Sequence, residues 1–195
     1  MNIKNPCGVL LSKAIRTSLI ELFGEQIGQT LETLSLVDTK VNEGSVSLDR
    51  LFNNLETTYG IDASKGILFR VGELSIQFLR REDADMYALG QTENRLKPFE
   101  QKITSALETL RTILNREMNY KPEINSSTAN SWEVAYSIAS GMEKTETEKL
   151  MWLQQGMISA FLGWMDSRKV FRFSAPQINN IKRCYESRFS ASAIE

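Results

Sequence analysis

The sequence predicts an α+β fold from three observations. Up to Arg116, apolar residues recur at three- and four-residue steps, the period of a helix buried on one face. Residues 131–139, SWEVAYSIA, alternate instead, as a half-buried strand does. Helical runs fill the first half and strand signals gather near the end, an order that favours segregated layers over βαβ units.

Taken in order, residues 1–8 read as irregular, with Pro6 and Gly8 as breakers. Leu11, Ile15, Leu19, Leu22 and Phe23 mark a helix that stops at Gly24. A short helix from about Glu25 places Leu31, Leu34 and Leu36 inward, and the polar run 37–45 is a loop. The stretch from Ser47 to Glu82 organises the chain as two helices joined by a tight Tyr59-Gly60 corner. Leu48, Leu51, Phe52 and Leu55 share one face of the first, Ser47 can cap its free amides, and Gly60 suits its end. In the second, Asp62 or Ser64 can cap, and Ile67, Val71, Leu74 and Phe78 form the stripe. Gly66 and Gly72 interrupt this helix at a cost of roughly 1 kcal/mol each against alanine, so a close neighbour is expected at both.

REDADMYALGQTENRL, with Gly90, reads as a charged connector. A long helix follows from Pro98 to about Arg116, buried through Phe99, Ile103, Leu107, Leu110 and Leu114. NYKPEIN is compatible with an edge strand, since proline cannot donate to a central ladder. In the alternating strand, Trp132, Val134, Tyr136 and Ile138 face one way. GMEKTETEK reads as a solvated turn before a helix that carries Leu150, Leu153, Met157, Phe161 and Trp164. VFRFS at 170–174 is a strand, and the tail reads as a hairpin turning near Tyr185–Ser187. There is no internal repeat, and residues 1–195 form one domain.

Composition narrows the function classes. Hydrophobic residues make up 42% and charged residues 24%, with 23 basic against 24 acidic side chains, so no global attraction to nucleic acid or anionic membrane is expected. The two cysteines, Cys7 and Cys184, fit neither a disulfide framework nor a zinc cluster. No signal-peptide core or apolar run of membrane-spanning length is present, which predicts a cytoplasmic protein with no transmembrane segment. Histidine is absent altogether. That removes the Ser-His-Asp triad, the histidine general base and the histidine ligand to a metal or haem. No G-x-S-x-G elbow or phosphate-binding glycine loop occurs, so no enzyme is predicted and no catalytic residue is named.

Leu55-Glu56, Tyr59-Gly60 and Lys65-Gly66-Ile67-Leu68-Phe69-Arg70-Val71-Gly72 resemble the signature of the 4-vinyl reductase domain family, specifically its stand-alone putative hydrocarbon-binding proteins, relatives of Golgi transport-particle subunits. The likeness extends through Gly156-Met157-Ile158 to Trp164 and on to Phe173. It implies a helical layer packed on a twisted antiparallel sheet, often as a homodimer, with an apolar cavity between the layers in some relatives. The family's zinc-binding positions fall on Ala135–Ile138, Ala175, Ile178 and Ser187, none of which offers a thiolate or carboxylate. No metal or other cofactor is therefore expected.

The resulting expectation is a non-catalytic domain that binds an apolar or amphipathic small molecule in a sensory or carrier role. The rivals are a dimeric scaffold without an open pocket and an accessory protein in tetrapyrrole (bacteriochlorophyll) synthesis. Candidate pocket residues are Arg70, Phe78, Trp132, Val134, Tyr136, Trp152, Met157 and Phe161, with the ligand between the strand of Val134 and Tyr136 and the helix of Met157 and Phe161. Each has a plainer reading. Aromatic and Met residues at these spacings also make ordinary core, and Arg70 can pair with Glu73 one helical step away. A homodimer on the helical side, with Gly66 and Gly72 at the contact, is weighed against those glycines admitting an intrachain neighbour.

Overall fold

A computed structural model describes residues 7–36, 45–91, 94, 96–118, 122–128, 130–138 and 144–193. Among the described residues the helices that come first are α1 (Val9–Phe23), α2 (Glu25–Ser35), α3 (Leu48–Tyr59), α4 (Ile61–Glu82), α5 (Ala84–Leu89) and α6 (Phe99–Met118). A hairpin of β1 (Glu123–Thr128) and β2 (Ser131–Ser137) leads to α7 (Lys144–Met165), and β3 (Lys169–Phe173), β4 (Gln177–Asn179) and β5 (Cys184–Ala193) close the chain. The α+β expectation holds. The sheet is antiparallel in the order β1-β2-β5-β3, and β4 also pairs with β5.

Helix α7 is the centre of the molecule. It packs along α4 and also touches α3, α6, β2 and β3. Helices α4 and α7 run parallel, as three contacts in step along them show. Lys65 pairs with Glu148 at 2.9 Å near their starts, Gly72 and Gly156 meet the opposite backbone midway, and Arg80 lies over Trp164 near their ends. A Cβ on Gly72 would overlap the Leu153 carbonyl oxygen, and one on Gly156 would overlap the Phe69 carbonyl oxygen. Each glycine thus admits the other helix's main chain. Gly66, in contrast, is exposed with nothing within 4 Å of a built Cβ, so the close neighbour expected there is missing.

Local chemistry explains most of the boundaries. Ser47 caps α3 by accepting from the Arg50 amide at 3.4 Å. Gly60 ends α3 and starts α4 at φ +84°, a backbone conformation that L side chains rarely adopt, so neither Asp62 nor Ser64 is the cap. The Ser64 hydroxyl instead donates to the Ile61 carbonyl. The buried face of α4 is broader than the expected stripe and includes Leu68, Gly72, Ser75, Ile76 and Leu79, while Ile67 and Phe78 are only partly covered. The reason is that α4 is covered from two sides, by α1 and by α7. Leu34, expected inward, is 55% exposed.

Three other boundaries also differ from expectation. The charged connector contains α5, because the Asp83 carboxylate accepts from the amides of Asp85 and Met86 at 3.0 Å while Met86 and Leu89 turn inward. Residues 144–149, expected in a turn, already belong to α7; residues 37–44 and 139–143 lie outside the described residues. The last hairpin turns at 180–183, not near Tyr185–Ser187, with Arg183 at φ 51°. The strand Cys184–Ala193 continues through the expected corner because β2 pairs with it from Ser137↔Cys184 to Ser131↔Ser190.

One buried ion pair ties the layers together. Lys102 of α6 donates to Asp166, just after α7, at 2.8 Å, and both side chains are almost wholly buried. Burial opposes ionisation of Asp166, but hydrogen bonds from Arg168 and Lys102 outweigh it and hold the carboxyl well below the usual carboxylate range. A depressed folded-state pKa contributes stability above the ordinary aspartate value of about 3.9, and that contribution is lost as the pH falls below it.

Two predictions arise from this packing. In urea titrations, Gly156→Ala is expected to cost about 1–3 kcal/mol through overpacking. Gly66→Ala is expected to gain up to roughly 1 kcal/mol from helix propensity alone. A neutral Gly156→Ala would refute the backbone contact. Lys102→Met is expected to cost about 1.5–3 kcal/mol by removing one of the two cations that hold the buried Asp166 carboxylate, Arg168 remaining paired with it. Part of that should be recovered in Lys102→Met/Asp166→Leu. Unfolding curves recorded from pH 7 down past pH ~4 should also show a shallower acid loss in the double variant than in the parent.

Candidate functional site

Past the Gly72/Gly156 crossing, α4, α5 and α7 enclose an open cleft of about 650 Å3. This lies within the 300–1,000 Å3 range typical of small-molecule sites. Helix α4 contributes Ile76, Gln77, Arg80 and Arg81 from its last two turns. Tyr87 comes from α5, Gly90 and Gln91 follow it, and Ala160 and Trp164 come from α7.

The Arg80 guanidinium carbon sits 4.2 Å above the Trp164 ring centroid, a cation–π stack. Trp164 is held from beside as well. Its ring packs against Phe161 with centroids 5.7 Å apart, and a Cβ on Gly90 would come within 3.0 Å of its edge. Gly90 is therefore where the chain after α5 makes room for the indole. Arg81 is exposed and has no ion pair among the described residues. Tyr87 is 65% exposed. No described lining residue is acidic, and Asp83 and Asp85, at the start of α5, pair with Arg116.

The residues chosen from the sequence do not assemble there. Trp132, Val134, Tyr136, Met157 and Phe161 are packed in the core, with Trp132 stacked on Phe189 at 5.1 Å. Phe78 and Trp152 are partly buried against that core. Arg70 projects to solvent and pairs with Glu73 at 2.8 Å, so the plainer of its two readings applies. Gly72 meets α7 of its own chain, which removes the structural ground offered for a homodimer through that glycine. The cleft residues carry only weak sequence signals: Arg81, Tyr87, Gly90 and Gln91 all fall in the stretch read as a charged connector.

Metal chemistry finds little support. Among the described residues no cluster of three or more His, Cys, Asp or Glu could hold an ion. Cys7 and Cys184 are both free and buried. Burial, aided by the Glu117 charge, pushes the Cys7 thiol far up; burial and then the Glu186 charge raise that of Cys184. Both are kept from the thiolate form that metals and electrophiles need.

No protein-family model matches the chain, and no curated protein sequence matches it. Its fold does match solved structures. A single-site variant of the T. tengcongensis H-NOX domain superposes with a TM-score of 0.58 at 13% identity, covering 96% of this chain and 99% of that one. A second match, solved to probe the function of haem distortion in the H-NOX family, has a TM-score of 0.57 at 12% identity, covering 96% of each chain. An oxygen-binding H-NOX domain related to soluble guanylate cyclases, in its oxygen complex, matches at 0.55 and 10% identity over 92% of each chain.

These matches correct the family expectation. The neighbours are H-NOX domains rather than 4-vinyl reductase domains or transport-particle subunits. The hydrocarbon-binding carrier, the dimeric scaffold and the tetrapyrrole accessory were inferred from that resemblance and are overturned with it, as are the apolar ligand and the second copy as partners. At 10–13% identity the likeness concerns architecture: the chain has the H-NOX fold.

Proposed function

We propose that this chain is a non-enzymatic regulatory domain that uses the H-NOX fold without an iron-ligated haem. The observation that carries the reading is the donor set. Haem iron in proteins is held by histidine, cysteine thiolate, methionine with histidine, or tyrosinate. This chain has no histidine at all, and its two cysteines are buried with raised thiol pKa values. Of the described tyrosines, Tyr59 and Tyr87 lie on the surface, Tyr136 is fully buried within the packed core, and burial raises the pKa of Tyr185 away from the ligating phenolate.

The packing is consistent with this. A macrocycle needs a slot between elements, and the α4–α7 contact is backbone against backbone at Gly72 and Gly156. Met157 and Phe161, one and five residues further along α7, are fully buried in the same core. The residues present therefore do not fit an iron-ligated haem. Among the described residues no catalytic constellation is found, and we assign signal recognition to the surface. Free thiols suit a reducing compartment, and on that ground we place the domain in the cytoplasm.

The protein should be produced in cells supplied with iron and 5-aminolevulinate, then titrated with haemin and reduced. The expected result is sub-stoichiometric pigment by the pyridine haemochrome assay and no sharp Soret band that shifts with carbon monoxide. One haem per chain with a carbon-monoxide-sensitive Soret band would overturn the reading.

A further inference from the structure

We propose that two paired glycine corners in the helical layer form a docking surface for a cationic amphipathic helix of a partner protein. The inference rests on the reading of the chain as a regulatory domain, since it assigns that domain the surface through which it acts. Phe23-Gly24 joins α1 to α2 and Tyr59-Gly60 joins α3 to α4, and the two glycines share one conformation, φ 80° with ψ 168° and φ 84° with ψ 166°. The Leu36↔Val46 bridge ties the end of α2 to the chain just before α3. The two helices therefore run antiparallel, and the start of α2 lies beside the end of α3. Phe23 stacks on Tyr59 with ring centroids 5.4 Å apart, which brings the corners together.

The centre of this surface is apolar. The Phe23–Tyr59 stack is only partly covered, and beyond the glycines Ile27 is 49% and Ile61 58% exposed. Single exposed apolar side chains are ordinary. Here two exposed isoleucines adjoin an open aromatic stack, which is the make-up of an interface core. The border is acidic. Glu21 and Glu25 are exposed with no ion pair among the described residues, and the Asp62 side chain is fully exposed. Nearby cations are already engaged, Lys65 with Glu148 at 2.9 Å and Lys149 with Glu56. Glu25 and Asp62 have an ordinary role in the first turns of α2 and α4, where carboxylates suit the helix dipole. Glu21 has no such role, because it stands in the last turn of α1, where the dipole disfavours it.

Apolar anchors inside a ring of carboxylates select a partner with an apolar stripe between lysines or arginines. A second copy of this chain does not meet that requirement, because a symmetric contact would set acidic border against acidic border. An extended peptide would leave its own amides unpaired, since helices rather than strand edges make the corners. A helix satisfies its backbone internally and presents only its side chains.

The test is calorimetric titration of the full chain with an end-blocked amphipathic peptide of leucine and lysine, using a leucine–glutamate peptide of the same pattern as control. The expected result is that the cationic peptide binds, that the anionic one does not, and that added salt weakens the binding. Ile27→Ser and Ile61→Ser should each weaken it about tenfold. Glu25→Gln/Asp62→Asn should weaken it and flatten its salt dependence, and decides the matter if an isoleucine variant fails to fold. Ile181→Ser, at the 96% exposed isoleucine of the β4–β5 turn, should leave the affinity unchanged. No binding of the cationic peptide, equal binding of the anionic one, or unaltered affinity in the corner variants would overturn the proposal. So would a dimer of the free chain, seen by light scattering, that Ile61→Ser dissolves. These outcomes are independent of the haem assay. A ligated haem refutes the haem-free reading whatever the corners bind, and inert corners in haem-free protein refute only the docking assignment.

Discussion

The contact on which the structure depends is the parallel crossing of α4 and α7. Packed helices ordinarily keep their axes 8–10 Å apart because side chains stand between them. Here Gly72 lies under the Leu153 carbonyl and Gly156 under the Phe69 carbonyl. Leu153 lies three residues before Gly156 and Phe69 three before Gly72, so the contact is reciprocal. Neither helix can slide or rotate without driving a side chain into the other's backbone. A parallel pair also requires a long return path, which α5, α6 and the β1–β2 hairpin supply.

Much of the remaining architecture follows from that register. Fixing α7 against α4 points Met157 and Phe161 into the core and brings α7 against β2 and β3. It also carries Trp164 to the end of α4, where Arg80 covers it, and Gly90 after α5 leaves room for the indole. The same crossing therefore fills the interior and sets the walls of the surface cleft. The buried Lys102–Asp166 pair then anchors α6 to the residue that follows α7. Isolated, such a pair contributes little net stability; its value lies in position, because removing Asp166 strands the buried Lys102 ammonium, while Arg168 still pairs with Asp166 if Lys102 is lost.

The chain has the H-NOX fold together with a donor set that contains no histidine, and the two have different physical requirements. Architecture is maintained by periodic burial that many sequences can supply, which is how a fold persists at 10–13% identity. An iron-ligated prosthetic group instead needs one particular atom at one place, and a chain with no histidine and two buried thiols lacks the common donors. Motif likeness in the Tyr59-Gly60 and Lys65–Gly72 stretch misled for a related reason. A glycine corner followed by an amphipathic helix is a solution to chain geometry and carries little information about a ligand.

What the sequence by itself determined is local. The 3.6-residue period marked α1, α3, α4, α6 and α7, alternation marked β2, and Ser47 and Gly60 marked the bounds of α3, because these signals act within a few residues along the chain. The missing histidine excluded whole classes of chemistry without reference to any fold. Tertiary structure decided the rest. Gly66 and Gly72 look alike in sequence, yet one is exposed and the other lies against a carbonyl more than eighty residues away. Trp132 and Trp164 are equally aromatic, yet one is stacked in the core and the other stands beneath an arginine at the cleft. Burial and juxtaposition depend on which distant segment packs alongside, and the crossing of α4 with α7 sets that choice.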